Sequence, residues 1–379
     1  MRTFTALGIF VLAGILAGCG GEGNHLLGGP KPGLSQPGWT KYMGTQANTG
    51  LINAADAQGV IKWKFRVPGE PGPAVIGPDG TVYFGQQEIA GGLYALDGAT
   101  GAVKWSIADF ANFNGAPAIG KYGLLYVYLT NGLYALNANT GQTVWSQIQI
   151  GSNTDGVGLG DDGTVYIGTA EPSVEAYNGL TGALLWSCST GSNTSVVSCP
   201  AIDINNVVYV TQSDGSVVAV KNGSVLWKVQ TNFSEISSVS AGTNGIIYVR
   251  AGFNQFRAMR ASDGTTLWSV SANSNDSGQT IGPDGTVYTS GSGPNVLAFS
   301  PTNGTVLRQA NLSGNVGVHA MTTKTVYAET ANGLTALDAS TLQQKWNIPT
   351  GGFITGAAAV GPDGTVVFPA SDFYVYAVR

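Results

Sequence analysis

The chain has 379 residues and a formal net charge of −5, and only 10% of its residues are charged. No run of like charges occurs, so there is no basic stripe for a polyanion, and the composition excludes nucleic-acid binding. The 56 glycines are typical of an exported β-protein with many turns.

The first predicted element is a signal peptide over residues 1–18. Arg2 supplies its positive charge, and the apolar run Leu7–Leu16 is too short to span a membrane as a helix. The tetrapeptide LAGC at 16–19 resembles the lipobox of bacterial lipoproteins, so we expect Cys19 to become the lipid-modified first residue. The alternative is an ordinary secretory signal that leaves the chain unanchored. With a lipid anchor, Gly20 after the cysteine favours the outer membrane, facing the periplasm or the cell surface.

Residues 19–38 are predicted to be a flexible tether. The stretch is rich in Gly and Pro and has no periodic apolar residues. Such a segment has too little apolar surface to fold alone, so we expect the folded body to begin at residue 39.

The repeat unit of this body is clearest at residues 73–107. Four β-stretches can be read there, PAVIG, TVYFG, GLYALD and AVKWSI, separated by turn residues and not by helical sequence. The tripeptide at 78–80, Pro-Asp-Gly, predicts the first turn because Pro fixes φ and Gly accepts positive φ. The same tripeptide recurs at 283–285 and 362–364.

Two residue series recur about every forty positions to the end of the chain. The alanines are Ala95, Ala135, Ala176, Ala219, Ala258, Ala298, Ala336 and Ala377, and the tryptophans are Trp63, Trp105, Trp145, Trp186, Trp227, Trp268 and Trp346, with Arg308 at the remaining position. Ala377 has no tryptophan after it and Trp63 has no alanine before it, so one repeat is split between the chain ends. A split repeat predicts a closed ring. The predicted fold is all-β, an eight-bladed β-propeller of four-stranded antiparallel blades over 39–379, closed by an N-terminal outer strand that joins the C-terminal blade.

The runs LYALDGATGAVKW at 93–105 and LYALNANTGQTVW at 133–145 resemble the repeats of the PQQ-like β-propeller family. The resemblance covers residues 39–379, and WTKYMGTQANTG at 39–50 is similar to the lead-in of such proteins. It implies that the seven tryptophans are structural and dock between neighbouring blades, where a large ring finds one polar partner for its N–H.

The resemblance leaves three functions open. BamB-type lipoproteins combine a lipid anchor with eight such blades and assist outer-membrane protein assembly. A non-catalytic, membrane-anchored scaffold that binds a protein partner through a propeller face or loops is therefore the leading interpretation. A surface carbohydrate-binding or adhesion protein is another alternative, suggested by polar loops such as SANSNDSG at 271–278.

The third alternative is a quinoprotein dehydrogenase. The resemblance implies pyrroloquinoline quinone (PQQ) on the ring axis, an adjacent cysteine pair, and calcium held by carboxylate and amide ligands. This chain has no adjacent cysteines, and its aspartates lie mostly in turns. We therefore expect no catalytic, cofactor-binding or metal-binding residues.

Cys188 and Cys199 remain once Cys19 is assigned to the lipid. An even pair in an oxidising compartment, separated by a polar loop, favours a disulfide. The alternatives are two buried thiols or half of a metal site.

Three further positions stand out in the repeats. His319 is the only histidine in the folded body and is predicted on an inner strand of the seventh blade, as a proton acceptor or as a residue that is hydrogen-bonded or solvated. Arg308 replaces a tryptophan, and Leu342 stands where glycine is expected four residues before Trp346. We hypothesise that this sector packs less regularly and offers a partner-binding edge.

Overall fold

The computed structural model describes residues 38–379 except for 88–90, 109–114, 130, 149–155, 192–193, 234–235, 252–254, 273–277, 292, 294, 313 and 315. These residues belong to a unit that spans Pro32–Arg379. The predicted signal peptide, Cys19 and the predicted tether up to residue 37 lie outside them. No helix in the part of the chain that is described is long and apolar enough to cross a membrane.

The strands in these ranges form eight four-stranded antiparallel sheets, so the predicted eight-bladed all-β propeller is confirmed. In blades 1–7, four consecutive strands follow one another from the inside of the ring to the outside.

The strands of the first four blades are as follows. Blade 1 contains β2 (Glu70–Ile76), β3 (Val82–Gln87), β4 (Leu93–Leu96) and β5 (Val103–Ile107). Blade 2 contains β6 (Ala118–Ile119), β7 (Leu124–Leu129), β8 (Gly132–Asn137) and β9 (Thr143–Ile148). Blade 3 contains β10 (Gly158–Leu159), β11 (Thr164–Gly168), β12 (Ser173–Asn178) and β13 (Leu184–Ser189). Blade 4 contains β14 (Ala201–Ile202), β15 (Val208–Thr211), β16 (Ser216–Lys221) and β17 (Ser224–Gln230).

The last four blades complete the ring. Blade 5 contains β18 (Ile236–Ala241), β19 (Ile246–Ala251), β20 (Gln255–Arg260) and β21 (Thr266–Ser271). Blade 6 contains β22 (Gln279–Ile281), β23 (Val287–Ser290), β24 (Asn295–Phe299) and β25 (Val306–Asn311). Blade 7 contains β26 (Val316–Met321), β27 (Thr325–Thr330), β28 (Gly333–Asp338) and β29 (Gln344–Pro349). Blade 8 contains β30 (Ala359–Val360), β31 (Val366–Ala370), β32 (Tyr374–Val378) and, as its outer strand, β1 (Ile61–Arg66).

Burial differs between the strands of a blade as the sequence pattern requires. The second strands are apolar and buried along their whole length, as in β7, because both of their faces pack against neighbouring blades. The outer strands alternate, with exposed residues on either side of the half-buried tryptophan in β5. The apolar core is therefore a ring of blade-to-blade contacts.

The alanine and tryptophan series meet directly across the third and fourth strands. Ala95 is opposite Trp105 and Ala135 is opposite Trp145, and the same pairing recurs in blades 3 to 7, with Ala298 opposite Arg308. A small residue leaves room for the large ring of its cross-strand partner. In blade 8, Trp63 of β1 is opposite Ala377 of β32, so the split repeat closes the ring as predicted.

Residues 39–52 cross the inner end of most blades and are called the strap here. Backbone N–H groups of the blades donate to strap carbonyls from the last residue of an inner strand: Ile76 to Trp39, Ile119 to Thr40, Ile202 to Gln46, Ala241 to Ala47, Ile281 to Thr49 and Met321 to Gly50. The strap therefore advances around the axis in blade order, from blade 1 to blade 7. We call this end of the ring the strap face and the opposite end the loop face.

Candidate functional site

The strap is folded around a buried lysine. Lys41 is fully buried, and its Nζ donates to the backbone oxygen of Thr45 at 3.2 Å and to Oδ1 of Asn48. Burial lowers the pKa of Lys41, and its interaction with Cys199 opposes this shift. The Lys41 side chain thus ties together the strap residues between blades 2 and 4.

Asn48 and Thr49 fix the strap to the inner wall of blades 4 to 6. Nδ2 of Asn48 donates to the carbonyls of Cys199 and Val239 at 3.0 and 3.1 Å. Ser240 donates to the carbonyl of Asn48 at 2.6 Å, and Thr280 donates to that of Thr49 at 2.8 Å. The inner wall of these blades is polar because it binds a chain segment through its backbone.

His319 lies on β26, the inner strand of blade 7, as the repeat pattern predicts. It is the extra residue of a β-bulge in β26, which turns its side chain out of the regular alternation. Nδ1 of His319 is 2.6 Å from Oε2 of Glu329, and Oε1 of Glu329 accepts the backbone N–H of Ala358 at 2.7 Å. Both side chains are almost completely buried, at 6% and 8% exposure. The pair joins blade 7 to blade 8, so His319 is a hydrogen-bonded residue and not a solvated one.

Ionisable side chains that could hold a metal ion are dispersed among the described residues. No group of three His, Cys, Asp or Glu side chains converges within these ranges. The aspartates of the first turns, such as Asp79 and Asp363, accept N–H and O–H groups of the threonine two residues later. These carboxylates are therefore used in turns at the strap face.

The structure corrects the expected disulfide. Cys188 and Cys199 are both buried thiols and are not joined to each other. Cys188 lies on β13, the outer strand of blade 3, opposite Val174. Cys199 precedes the inner strand of blade 4, where its Sγ lies 3.7 Å from the carbonyl oxygen of Val157. One residue is therefore on an outer strand and the other at an inner strand, on opposite sides of the ring wall.

Tryptophan side chains lie at the junctions between consecutive blades. Six of the seven donate Nε1–H to a carbonyl of the next blade at 2.8 to 3.0 Å: Trp63 to Gly98, Trp105 to Ala138, Trp145 to Gly179, Trp227 to Ala261, Trp268 to Pro301 and Trp346 to Ala57. Trp186 lies against Gly223 of blade 4. The glycine four residues before a tryptophan leaves room for the tryptophan of the preceding blade: a Cβ at Gly182 would be 2.7 Å from the Trp145 ring.

The junction between blades 6 and 7 is built differently. Arg308 takes the tryptophan position and donates from Nη2 to the hydroxyl of Tyr288 at 3.2 Å. Leu342 takes the glycine position with a φ of 58°, and it is buried in an apolar cluster with Tyr288 and Ala339. The two departures are coupled, because a leucine fits only where no tryptophan ring is present. This sector therefore departs from the regular junction, as expected, but it is well packed; a partner-binding edge there stays a prediction.

Sequence reasoning did not single out Lys41, Asn48 or Glu329. Their partners lie far away in the chain: Asn48 is 191 residues from Val239. A signal was present in the strap sequence, since an isolated lysine between apolar and small residues in WTKYMGTQANTG indicates an unusual environment.

Three solved structures resemble this fold across most of their lengths. Quinohemoprotein alcohol dehydrogenase from Comamonas testosteroni shares 15% identity, with a TM-score of 0.68 over 90% of this chain and 80% of that chain. Quinohemoprotein alcohol dehydrogenase ADHIIG from Pseudomonas putida HK5 shares 14% identity, with a TM-score of 0.71 over the same shares. The computationally designed Ika8 protein shares 16% identity, with a TM-score of 0.68 over 87% of this chain and 99% of that chain. At these identities the likeness shows the fold alone.

Sequence comparisons point to a family of repeat proteins. A stretch of 122 residues is 31% identical to the serine/threonine-protein kinase AfsK of Streptomyces griseus, but it covers 30% of this chain and only 14% of the kinase. The family model described as outer membrane protein assembly factor BamB matches residues 48–198, 130–248 and 171–379. These matches cover most of the chain, and the protein therefore belongs to the BamB family of PQQ-like β-propeller repeat proteins.

Proposed function

We propose that the protein is a non-catalytic scaffold of the bacterial cell envelope that binds a protein partner through a propeller face or its loops. The observation that carries this proposal is that the polar side chains around the axis form hydrogen bonds within the ring itself. Ser240 and Thr280 bind the strap, and His319 and Glu329 join two blades. These groups serve the ring itself, which leaves recognition to the faces and loops that the repeat does not specify.

Family membership supports the cell envelope as the location. A lipid on Cys19, the outer membrane as its destination and a role in outer-membrane protein assembly are the finer parts of the proposal. The LAGC sequence at 16–19 and the family's description support them. Replacing Cys19 by Ala should release the protein from the membrane fraction, whereas Cys188→Ala should leave it there. A Cys19→Ala variant that stays in the membrane pellet after a high-salt wash would contradict the anchor.

Site-specific crosslinking in cells tests the scaffold proposal. A photoreactive amino acid would replace Glu171 on the loop face, Asp97 on the strap face or Leu226 on an outer strand. We expect crosslinks to a defined envelope protein from one face and not from the others. If none of the three positions crosslinks to a protein, the scaffold proposal fails. A quinone absorbance band and alcohol oxidation after mixing with PQQ and calcium would replace it with the dehydrogenase.

A further inference from the structure

Two exposed phenylalanines lie on adjoining segments of the loop face of blade 8. Phe353 is in the segment between β29 and β30, and Phe373 is in the turn between β31 and β32; their side chains are 56% and 39% exposed. The two segments are in contact, since the N–H of Ser371 donates to the carbonyl of Phe353 at 2.9 Å. The segment between β1 and β2 joins them, because the N–H of Val67 donates to the carbonyl of Phe373 at 2.9 Å. We call Phe353 and Phe373 the aromatic pair.

Phe373 has a backbone conformation that is unfavourable for its side chain. Its φ is 68°, in the left-handed region. A bulky side chain is strained there because its Cβ crowds the backbone, which glycine avoids. Met43 and Leu342 also have positive φ, but both are buried in the core. Phe373 is exposed, so packing within the chain gives little compensation for the strain.

Blade 4 contains the same turn with a glycine. Ser213-Asp214-Gly215 corresponds to Ser371-Asp372-Phe373, and in both turns the aspartate Oδ1 accepts the N–H two residues later. In both, the carbonyl of the third residue accepts an N–H from the segment after an outer strand, Thr231 in blade 4 and Val67 in blade 8. Gly215 has a φ of 83°. Glycine thus adopts this turn without strain in blade 4, whereas blade 8 has an exposed phenylalanine at the same position. Such strain points to a function of the side chain.

The segments that connect strands on the loop face contain acidic residues and no basic ones: none of them contains Lys, Arg or His in the sequence. Glu171 is exposed there, and Asp214, Asp372 and Glu70 are half-buried on the same face. The basic residues at this face lie on strands. Lys228 of β17 is 3.9 Å from Asp214, and Arg257 of β20 lies over the Phe233 ring. Arg250 of β19 is buried and donates to the carbonyls of Ala272 and Ser290, and Arg66, at the end of β1 opposite Tyr374, is the basic neighbour of the aromatic pair. By contrast, Lys121, Lys221, Arg260 and Lys324 lie at turns of the strap face.

We propose that the aromatic pair on the acidic loop face is the anchor for a cationic protein segment that places an apolar side chain against Phe353 and Phe373. Exposed aromatic residues with an acidic surround fit a partner that is apolar at its centre and basic at its rim. This inference rests on the scaffold proposal and names the surface and the chemistry of its partner.

A peptide titration with the full-length protein tests this inference. The probe is a fluorescent twelve-residue peptide of alternating Lys and Phe, and its control has Glu in place of every Lys. We expect the Lys peptide to bind, its affinity to fall by about tenfold or more between 50 and 300 mM NaCl because salt screens exposed charges, and the Glu peptide not to bind. Equal binding of the two peptides would overturn the proposed partner chemistry.

Three variants separate the anchor from folding. Phe373→Gly should weaken peptide binding about tenfold while the melting temperature stays or rises, because glycine relieves the positive φ. Phe353→Ser should weaken binding to a similar extent. Leu226→Ser, which removes an equally exposed side chain from an outer strand of blade 4, should leave binding unchanged. Binding that survives Phe373→Gly and Phe353→Ser would overturn the anchor.

Two further outcomes have separate meanings. In the first, sedimentation shows that the protein alone forms a dimer and that Phe373→Gly abolishes it. The aromatic pair would then bind a second copy of the chain, and the inference would be overturned. Crosslinks in cells from Glu171 or Asp97 that persist in Phe373→Gly would leave the scaffold proposal standing and overturn the anchor alone.

Discussion

Seven blade junctions in this ring contain a tryptophan, and the junction between blades 6 and 7 contains Arg308 and Leu342. In the common arrangement, a ring fills the space beside a glycine of positive φ and donates its N–H across the junction, as Trp145 does to Gly179. At the junction between blades 6 and 7, Leu342 of blade 7 stands at the glycine position and fills the space that a tryptophan ring occupies elsewhere. Arg308 of blade 6 stands at the tryptophan position and donates to the hydroxyl of Tyr288.

The tryptophan position of one blade and the glycine position of the next therefore form one packing unit. Protein interiors are close-packed, so the volume at one position limits the volume at the other. Leu342 accepts a φ of 58° because it is only 3% exposed, and burial offsets part of the strain. A departure from the repeat is therefore explained by its partner and not by a loose fit.

The largest effect should come from emptying a regular junction. Trp145→Ala should lower the free energy of unfolding by about 3–5 kcal/mol, because it leaves a cavity and removes the donor to Gly179. Trp145→Phe keeps most of the volume and should lose less. Urea unfolding followed by circular dichroism measures both. Equal losses for Ala and Phe would mean that the hydrogen bond, and not the volume, holds the junction.

Restoring tryptophan at the exceptional junction should be harmful. Arg308→Trp should destabilise the protein by about 1–3 kcal/mol, because the new ring and Leu342 compete for one space. The double variant Arg308→Trp/Leu342→Gly should recover most of this loss, since it recreates the common junction. A single variant as stable as the parent would show that the two positions are not coupled. Unfolding curves of the four proteins give the coupling directly.

The hydrogen bond of Arg308 should contribute less. Arg308→Leu removes the donor to the Tyr288 hydroxyl, which also donates to the carbonyl of Ala339 at 2.8 Å. We expect a loss of about 1 kcal/mol in the free energy of unfolding. In a Tyr288→Phe background the same substitution should cost less. An unchanged cost in that background would assign the effect to packing of the arginine stem.

The smallest effect should be found at the next junction, between blades 7 and 8, where the chain ends meet. Burial alone would raise the pKa of Asp56, but hydrogen bonds from Thr322, Thr325 and Lys345 outweigh it and hold the pKa below its usual value of 3.8. The contribution of Asp56 to stability is therefore fully present above about pH 4 and is lost as the pH falls through the lowered pKa.

Asp56→Asn should accordingly cost a few tenths of a kcal/mol up to about 1 kcal/mol at pH 7, since the contact with Lys345 is partly exposed. The difference between variant and parent should shrink toward pH 3. Urea unfolding at the two pH values measures it. A difference that does not change with pH would show that the charge of Asp56 plays no part.

Much of the ring could be predicted from the sequence because its contacts repeat. The pairing of Ala95 with Trp105 lies within one hairpin, and the split of Trp63 from Ala377 indicated closure. The turn aspartates were predictable for the same reason. The position of His319 on an inner strand followed from the repeat, but its partner Glu329 and the β-bulge at His319 did not.

The sequence by itself thus determined the number of blades, the register of the alanines against the tryptophans, and the way the ring closes, since each depends on local pairing at a fixed period. The tertiary structure alone decided the path of the strap, the burial of Lys41, the separation of Cys188 from Cys199 and the exposure of Phe373. These features depend on contacts between parts of the chain that no period relates, such as Asn48 and Val239, 191 residues apart. Such contacts form only when the closed ring brings the inner ends of its blades together.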